Sequence, residues 1–200
     1  MLPTQSLLQF SLLIVVVLIP PAFVWIDTMI LLTRVSEVSL TEFTQLFFVL
    51  TTCGIFYRTA HRSALDKGFF TLLAGFFLTI AIRESDYFLG FVTRGFWKPL
   101  ALISTLITLY LVYPKRGDTF NSLLKYWNTY SFTYLLIGLV LTLVFSRIFG
   151  TSNLWEPIML EYYVDDFKTA IQEGLELLGY GLALLGSWYL STSAKNNVSK

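Results

Sequence analysis

Residues 1–26 read MLPTQSLLQFSLLIVVVLIPPAFVWI and contain no Asp, Glu, Lys, Arg or His. A helix over this run is long enough to cross the ~30 Å hydrocarbon layer of a bilayer. No Lys or Arg precedes its apolar stretch and no clear small-residue cleavage site closes it, so it reads as a retained first span rather than a signal peptide. Pro20 and Pro21 fall inside it. The helix must kink or break there unless neighbouring groups satisfy the carbonyls those prolines free.

Working outward, five further charge-free runs follow: Phe43 to Tyr57, Gly68 to Ile82, Pro99 to Pro114, Tyr126 to Ser146 and Leu177 to Ala194. All are rich in Leu, Phe, Ile and Val without sustained two-residue alternation, which predicts helices rather than barrel strands. The expected fold is all-α, a polytopic membrane helix bundle of about six transmembrane helices. The spans fall approximately over 6–26, 41–58, 68–89, 98–114, 127–149 and 169–190, within a single integral membrane domain covering residues 1–200.

Composition agrees. The chain is 55% hydrophobic with a mean hydropathy of +0.65, and its 14% of charged residues falls far below the roughly one-quarter found in soluble domains. A formal charge of +1 gives no electrostatic footprint for polyanions, so no nucleic-acid partner is expected. The lone Cys53 cannot form an intrachain disulfide, and its apolar run suits a buried, inert thiol.

Lys and Arg in short loops are retained on the cytoplasmic side. The loops after spans two and four, with the C-terminal tail, carry Arg58, Arg62, Lys67, Lys115, Arg116, Lys125, Lys195 and Lys200 against only Asp66 and Asp118. Both termini are therefore expected in the cytoplasm, the protein being multi-pass in a cytoplasmic (inner) membrane. Almost every other carboxylate then lies in the outer half. The connections read as short. The longest, Ile148 to Lys168, carries Trp155, Tyr162 and Tyr163 among acids and suits a segment at headgroup level; Asp27 to Ser39 is a second, smaller interfacial piece.

Several charge-free runs are shorter than the ~20 residues a span needs, so flanking charges must lie inside. The third span reaches adequate length only by taking in Arg83, Glu84 and Asp86, with Tyr87 beyond them; Arg83 and Asp86 are three apart, as are Glu84 and Tyr87. Acids at the C-terminal end of a helix oppose its dipole and require a partner. In the sixth span, Glu173 and Glu176 share a face, with Tyr180 a turn further. Two carboxylates persist in lipid only if a cation, a shared proton, a metal or a water-filled cavity compensates them. Arg147, closing the fifth span, can reach inward to them. Gly174, Gly179, Gly181, Ala183 and Gly186 let other helices approach the sixth closely.

Each candidate has a plainer structural reading. Ser39-Leu40-Thr41-Glu42 matches a capping box, so Glu42 serves as well to start a helix as to bind a ligand. Asp165 and Asp166 suit the positive end of a helix dipole. A structural ion-pair network among Glu173, Glu176, Arg83 and Arg147 competes evenly with a functional site, and His61 reads as solvated.

One histidine and one cysteine cannot furnish zinc, haem or iron-sulfur ligand sets, and none of these is expected. There is no Gly-rich phosphate loop and no Gly-x-Ser-x-Gly elbow. Oxygen chemistry remains. Glu173, Glu176, Glu84 and Asp86, with Tyr87 and Tyr180, are candidates to hold magnesium, calcium or manganese, or to exchange protons.

Three functions fit. The first is binding or transport of an ion or small molecule at an outer-side carboxylate and arginine cluster. The second is a metal-assisted enzyme acting on a lipid or lipid-linked substrate at the outer leaflet. The third is a structural or assembly subunit whose charges pair helices or recognise a partner membrane subunit. Membrane lipids are partners in all three.

Overall fold

The computed structural model describes residues 3–33 and 38–198. Among these the chain is helical without strands: α1 (Pro3–Met29), α2 (Leu40–Arg62), α3 (Lys67–Glu84), α4 (Asp86–Gly90), α5 (Trp97–Val112), α6 (Arg116–Trp127), α7 (Tyr130–Val140), α8 (Ser146–Phe149), α9 (Ser152–Met159) and α10 (Asp165–Val198). A π turn, Leu141–Phe145, joins α7 to α8 into one rod. Three helices are long and apolar enough to cross a membrane, over Ser6–Met29, Leu40–Arg62 and Tyr130–Phe149. The all-α expectation holds at that level.

α1 passes through Pro20 and Pro21 without interruption. The run expected as one helix over 68–89 forms two. α3 stops at Glu84, and Ser85 takes φ −88° and ψ 11°. Its hydroxyl donates back to the Ala81 carbonyl at 2.8 Å, as threonine hydroxyls also do inside the unbroken helices α2 and α5. Asp86 and Tyr87 open a new short helix, where the dipole favours Asp86 instead of opposing it. The three-residue spacings of Arg83 to Asp86 and Glu84 to Tyr87 therefore do not fall on one continuous helix. Residues 116–127, expected as part of a short connection, form α6. Its buried positions Thr119, Ser122 and Tyr126 follow helical spacing, and Phe120, Leu124 and Trp127 point outward. Arg34 to Glu37, in the expected interfacial piece after α1, lie outside the described residues.

The residues fall into two compact units, one of Met1–Gln45 with Ile137–Leu182, the other of Leu46–Leu136 with Ala183–Lys200. The second unit has an aromatic core. Phe69 stacks on Tyr126 at 5.4 Å between ring centroids, and Phe56 packs against both Phe70 and Phe77. α3 and α5 run side by side there: the Thr79 hydroxyl lies 3.3 Å from that of Ser104, and Gly75 leaves room for Thr108. In the same unit Gly186 abuts backbone, since a Cβ built on it would lie 2.7 Å from the Leu135 nitrogen and 2.9 Å from the Ser131 oxygen. The first unit differs in kind. Its buried residues include Asp27, Ser39, Thr41, Gln45, Thr142, Ser146 and Glu176.

Candidate functional site

The polar core of the first unit is the densest collection of buried hydrogen-bonding side chains that the sequence candidates touch. It is built from the start of α2, the π turn with α8, and the first turns of α10. α10 comes close to the rod at Gly179, where a Cβ would lie 2.6 Å from the Gly138 carbonyl oxygen. That contact aligns Glu176, one turn earlier on α10, with Ser146 and Arg147 of α8.

Glu176 is 2% exposed. Its Oε1 receives the Arg147 guanidinium at 3.0 Å, the Gln172 amide at 3.0 Å and the Ser146 hydroxyl at 3.3 Å. Arg147 keeps 41% of its side chain exposed, so the cation reaches in from the surface while the carboxylate is held inside. Glu173, one turn earlier and half-buried, accepts the Gln45 side-chain amide at 2.9 Å on its carboxylate and at 3.0 Å on its main-chain carbonyl. Gln45 is fully buried, and its Oε1 has no partner among the described residues. The same holds for the Thr142 hydroxyl, in the π turn beside Ser146. Buried polar atoms are nearly always satisfied, so each of these marks a position where a partner is missing. π turns inside α-helices recur at functional sites.

Asp27 forms a second buried carboxylate centre of this unit. It is fully buried within α1 and receives the N–H of Leu40 at 2.8 Å, the N–H of Thr41 at 2.9 Å and the Thr41 hydroxyl at 2.6 Å. Capping of α2 is shared: the Glu42 N–H donates to the Ser39 hydroxyl at 3.2 Å, as the capping box predicts, while Asp27 takes the two N–H groups before it. Glu42 itself sits half-buried in the first turn. Asp27, expected in an interfacial piece, is instead a structural anion. At the start of α10, Asp165 pairs with Lys168 at 2.9 Å and accepts the Tyr163 hydroxyl at 2.9 Å. The Lys168 and Tyr163 hydrogen bonds hold its carboxyl below the usual range. That is the helix-start role predicted for it.

Of the remaining candidates, Tyr180 is buried on α10 in the first unit. Arg83 and Glu84 pair with each other at 2.8 Å in the second unit, at the end of α3. Asp86 and Tyr87 are exposed. Among the described residues no three His, Cys, Asp or Glu side chains gather in a way that could hold a metal ion. His61 is exposed, as expected, and its Nδ1 lies 2.9 Å from the Tyr57 carbonyl. Cys53 is only half-buried, its thiol donating to the Ala74 carbonyl.

Sequence reasoning missed Gln45, Thr142, Ser146, Gln172 and the Asp27 centre. One signal pointed to them. On α2 the buried polar residues Gln45, Thr52 and Thr59 recur every seven residues within an apolar run. In a helix whose outside is lipid, the polar stripe marks the buried face. A further network, in the second unit, was also missed: Asp66, before α3, accepts Ser122 at 2.8 Å, Tyr126 at 2.8 Å and Lys125 at 2.9 Å.

No protein family, curated protein or solved structure matches the chain.

Proposed function

We propose that this chain is a six-pass integral membrane protein of the cytoplasmic membrane, with both termini cytoplasmic, that binds a small cation or hydrogen-bond-donating ligand in the polar core of its first unit. Exposed aliphatic and aromatic side chains support the membrane reading: on α5, Leu102, Ile103, Leu106, Leu109 and Tyr110 are all more than half exposed and form one broad apolar face turned away from α3. α3 and α5, at 18 and 16 residues, reach about 27 and 24 Å, short spans that local bilayer thinning accommodates.

The observation that carries the binding reading is the Gln45 Oε1, a buried acceptor without a donor, on a side chain that holds Glu173. A bound cation or donor would meet that oxygen and the carboxylates together. Glu173 and Glu176 would supply charge, Gln45 and Thr142 neutral oxygens, and Arg147 would set the net charge of the site.

A second reading, an assembly subunit, draws support from the completeness of the Glu176 and Asp27 partner sets within the chain. Thermal unfolding of the purified protein in micelles separates the two, with Na⁺, K⁺, Mg²⁺, Ca²⁺ and Mn²⁺ added one at a time. A ligand at a hundredfold excess over Kd stabilises by about 2.7 kcal/mol. Binding predicts that one of these ions raises the melting temperature, and that Gln45→Leu and Glu176→Gln abolish the rise. No shift with any of them supports the subunit reading instead.

A further inference from the structure

The second unit contains a groove of about 580 Å³ between α2, α3 and α5. Its floor is α3, kept low by Gly68, Thr71, Ala74 and Gly75, while Tyr57 of α2 and Leu111 of α5 stand beside it. The volume falls within the roughly 300–1,000 Å³ that holds a compact organic ligand. Carbon lines most of it.

Its basic side chains are not spread along it. His61, Lys67 and Lys115 all lie at one end, for a reason of register. α5 runs antiparallel to α3, with Ser104 beside Thr79 and Thr108 against Gly75, and this brings Lys115 to Gly68. Lys67 opens α3, and the four-residue connection from Arg62 keeps His61 at the same end. The positive end of the α3 dipole points there too. Asp66, adjacent in sequence, is already engaged by Ser122, Lys125 and Tyr126. Among the described residues neither Lys67 nor Lys115 makes an ion pair.

We infer that this groove binds an anionic phospholipid, with an acyl chain along α3 and the phosphate between Lys67 and Lys115. A zwitterionic lipid would fill the apolar length but leave the cationic end without net compensation. A free phosphate would leave the apolar length unused. The inference rests on the membrane reading but not on ligand binding in the first unit, and it stands if that binding fails.

The test is native mass spectrometry of the full chain released from nanodiscs of equimolar phosphatidylglycerol and phosphatidylcholine. Two lysines near a headgroup favour the anionic lipid by about ten- to thirtyfold. The wild type should retain phosphatidylglycerol in that excess, and Lys67→Gln with Lys115→Gln should bring retention near parity. Thr71→Trp, which fills the floor and leaves the charges, should reduce retention of both lipids. Arg94→Gln with Lys98→Gln, basic residues away from the groove, should change nothing. Wild-type preference in the Lys67→Gln/Lys115→Gln protein overturns the inference, as does full retention in Thr71→Trp. Loss of preference on Arg58→Gln with Arg62→Gln, but not on the lysine changes, also overturns it by assigning the lipid to another face of α2.

Discussion

The Gln45 side-chain amide grips Glu173 at two points, 2.9 Å from its carboxylate and 3.0 Å from its main-chain carbonyl. It therefore ties the first turns of α2 to α10 whether or not the carboxylate carries charge. Gln45→Leu fills a similar volume but removes the donor. Losing the hydrogen bond costs about 0.5–1.5 kcal/mol net, because leucine also removes the partnerless Oε1 of Gln45. Denaturant unfolding in micelles should show a loss in that range; equal stability of the two proteins would mean that Glu173 finds another donor at no cost.

Much of the helical architecture was readable from runs of uncharged residues, because the charges gather near the helix ends. The ends were less readable. Ser85 interrupts a run whose apolar character continues to Val92, and no spacing of charges or apolar residues marks the place. α6 escaped notice because its inward face is hydroxyl-bearing and its outward face mixes charged and apolar residues, so it has no apolar stripe to mark it. For the site, the pairing of Glu176 with Arg147 was among the expected partnerships. Gln45 was not, since an uncharged amide leaves no gap in an apolar run. Asp27 was misread because a carboxylate near a span end looks interfacial until the N-terminus of α2 is seen to close on it.

Among the described residues Asp27 is the sole side chain satisfying the N–H groups of Leu40 and Thr41. Asp27→Ala leaves both buried and should destabilise by about 2 kcal/mol or more. Asp27→Asn keeps one acceptor oxygen and should lose roughly half as much. Amide exchange at Leu40 and Thr41 should rise in Asp27→Ala before exchange elsewhere in α2; uniform exchange across the helix would deny Asp27 its capping role.

Asp66 carries a pH dependence. Burial raises its pKa, but hydrogen bonds from Lys125, Ser122 and Tyr126, with the Lys125 charge, outweigh burial and hold the carboxyl below its ordinary value. A group with a depressed folded-state pKa contributes stability that is present above its unfolded value, near 3.9, and is lost as pH falls through the folded one. Wild-type stability should therefore decline on acidification below about pH 5. Asp66→Asn should be less stable at neutral pH and show a flatter acid limb. Parallel stability curves for the two proteins between pH 7 and 3 would remove the network from the account.

Two glycines in similar helical settings should respond oppositely. A Cβ on Gly186 would meet the backbone of Ser131 and Leu135, which cannot rotate aside, whereas nothing lies within 4 Å of one on Gly54. Gly186→Ala should cost about 1–3 kcal/mol through forced separation of α10 from α7. Gly54→Ala should stabilise α2 by about 0.5–1 kcal/mol. Melting temperatures moving in opposite directions would bear this out, and a stabilising Gly186→Ala would show the helices to be less closely packed.

Leu160, after α9, has φ 52° and ψ −125°, backbone angles that glycine adopts freely and a side chain with a Cβ does not. Its side chain is 73% exposed, so little packing repays the strain. A strained residue of this kind costs about 1–3 kcal/mol, and glycine gives back about 0.5–1 kcal/mol through the extra freedom of the unfolded chain. The balance favours substitution. Leu160→Gly should stabilise the protein by about 1 kcal/mol, while Leu160→Ala, which keeps the Cβ, should bring no gain. Denaturant midpoints of the three proteins in the same micelle decide the matter. If Leu160→Gly is no more stable than Leu160→Ala, a Cβ at this position carries no strain and the backbone angles are not the cost they are taken to be.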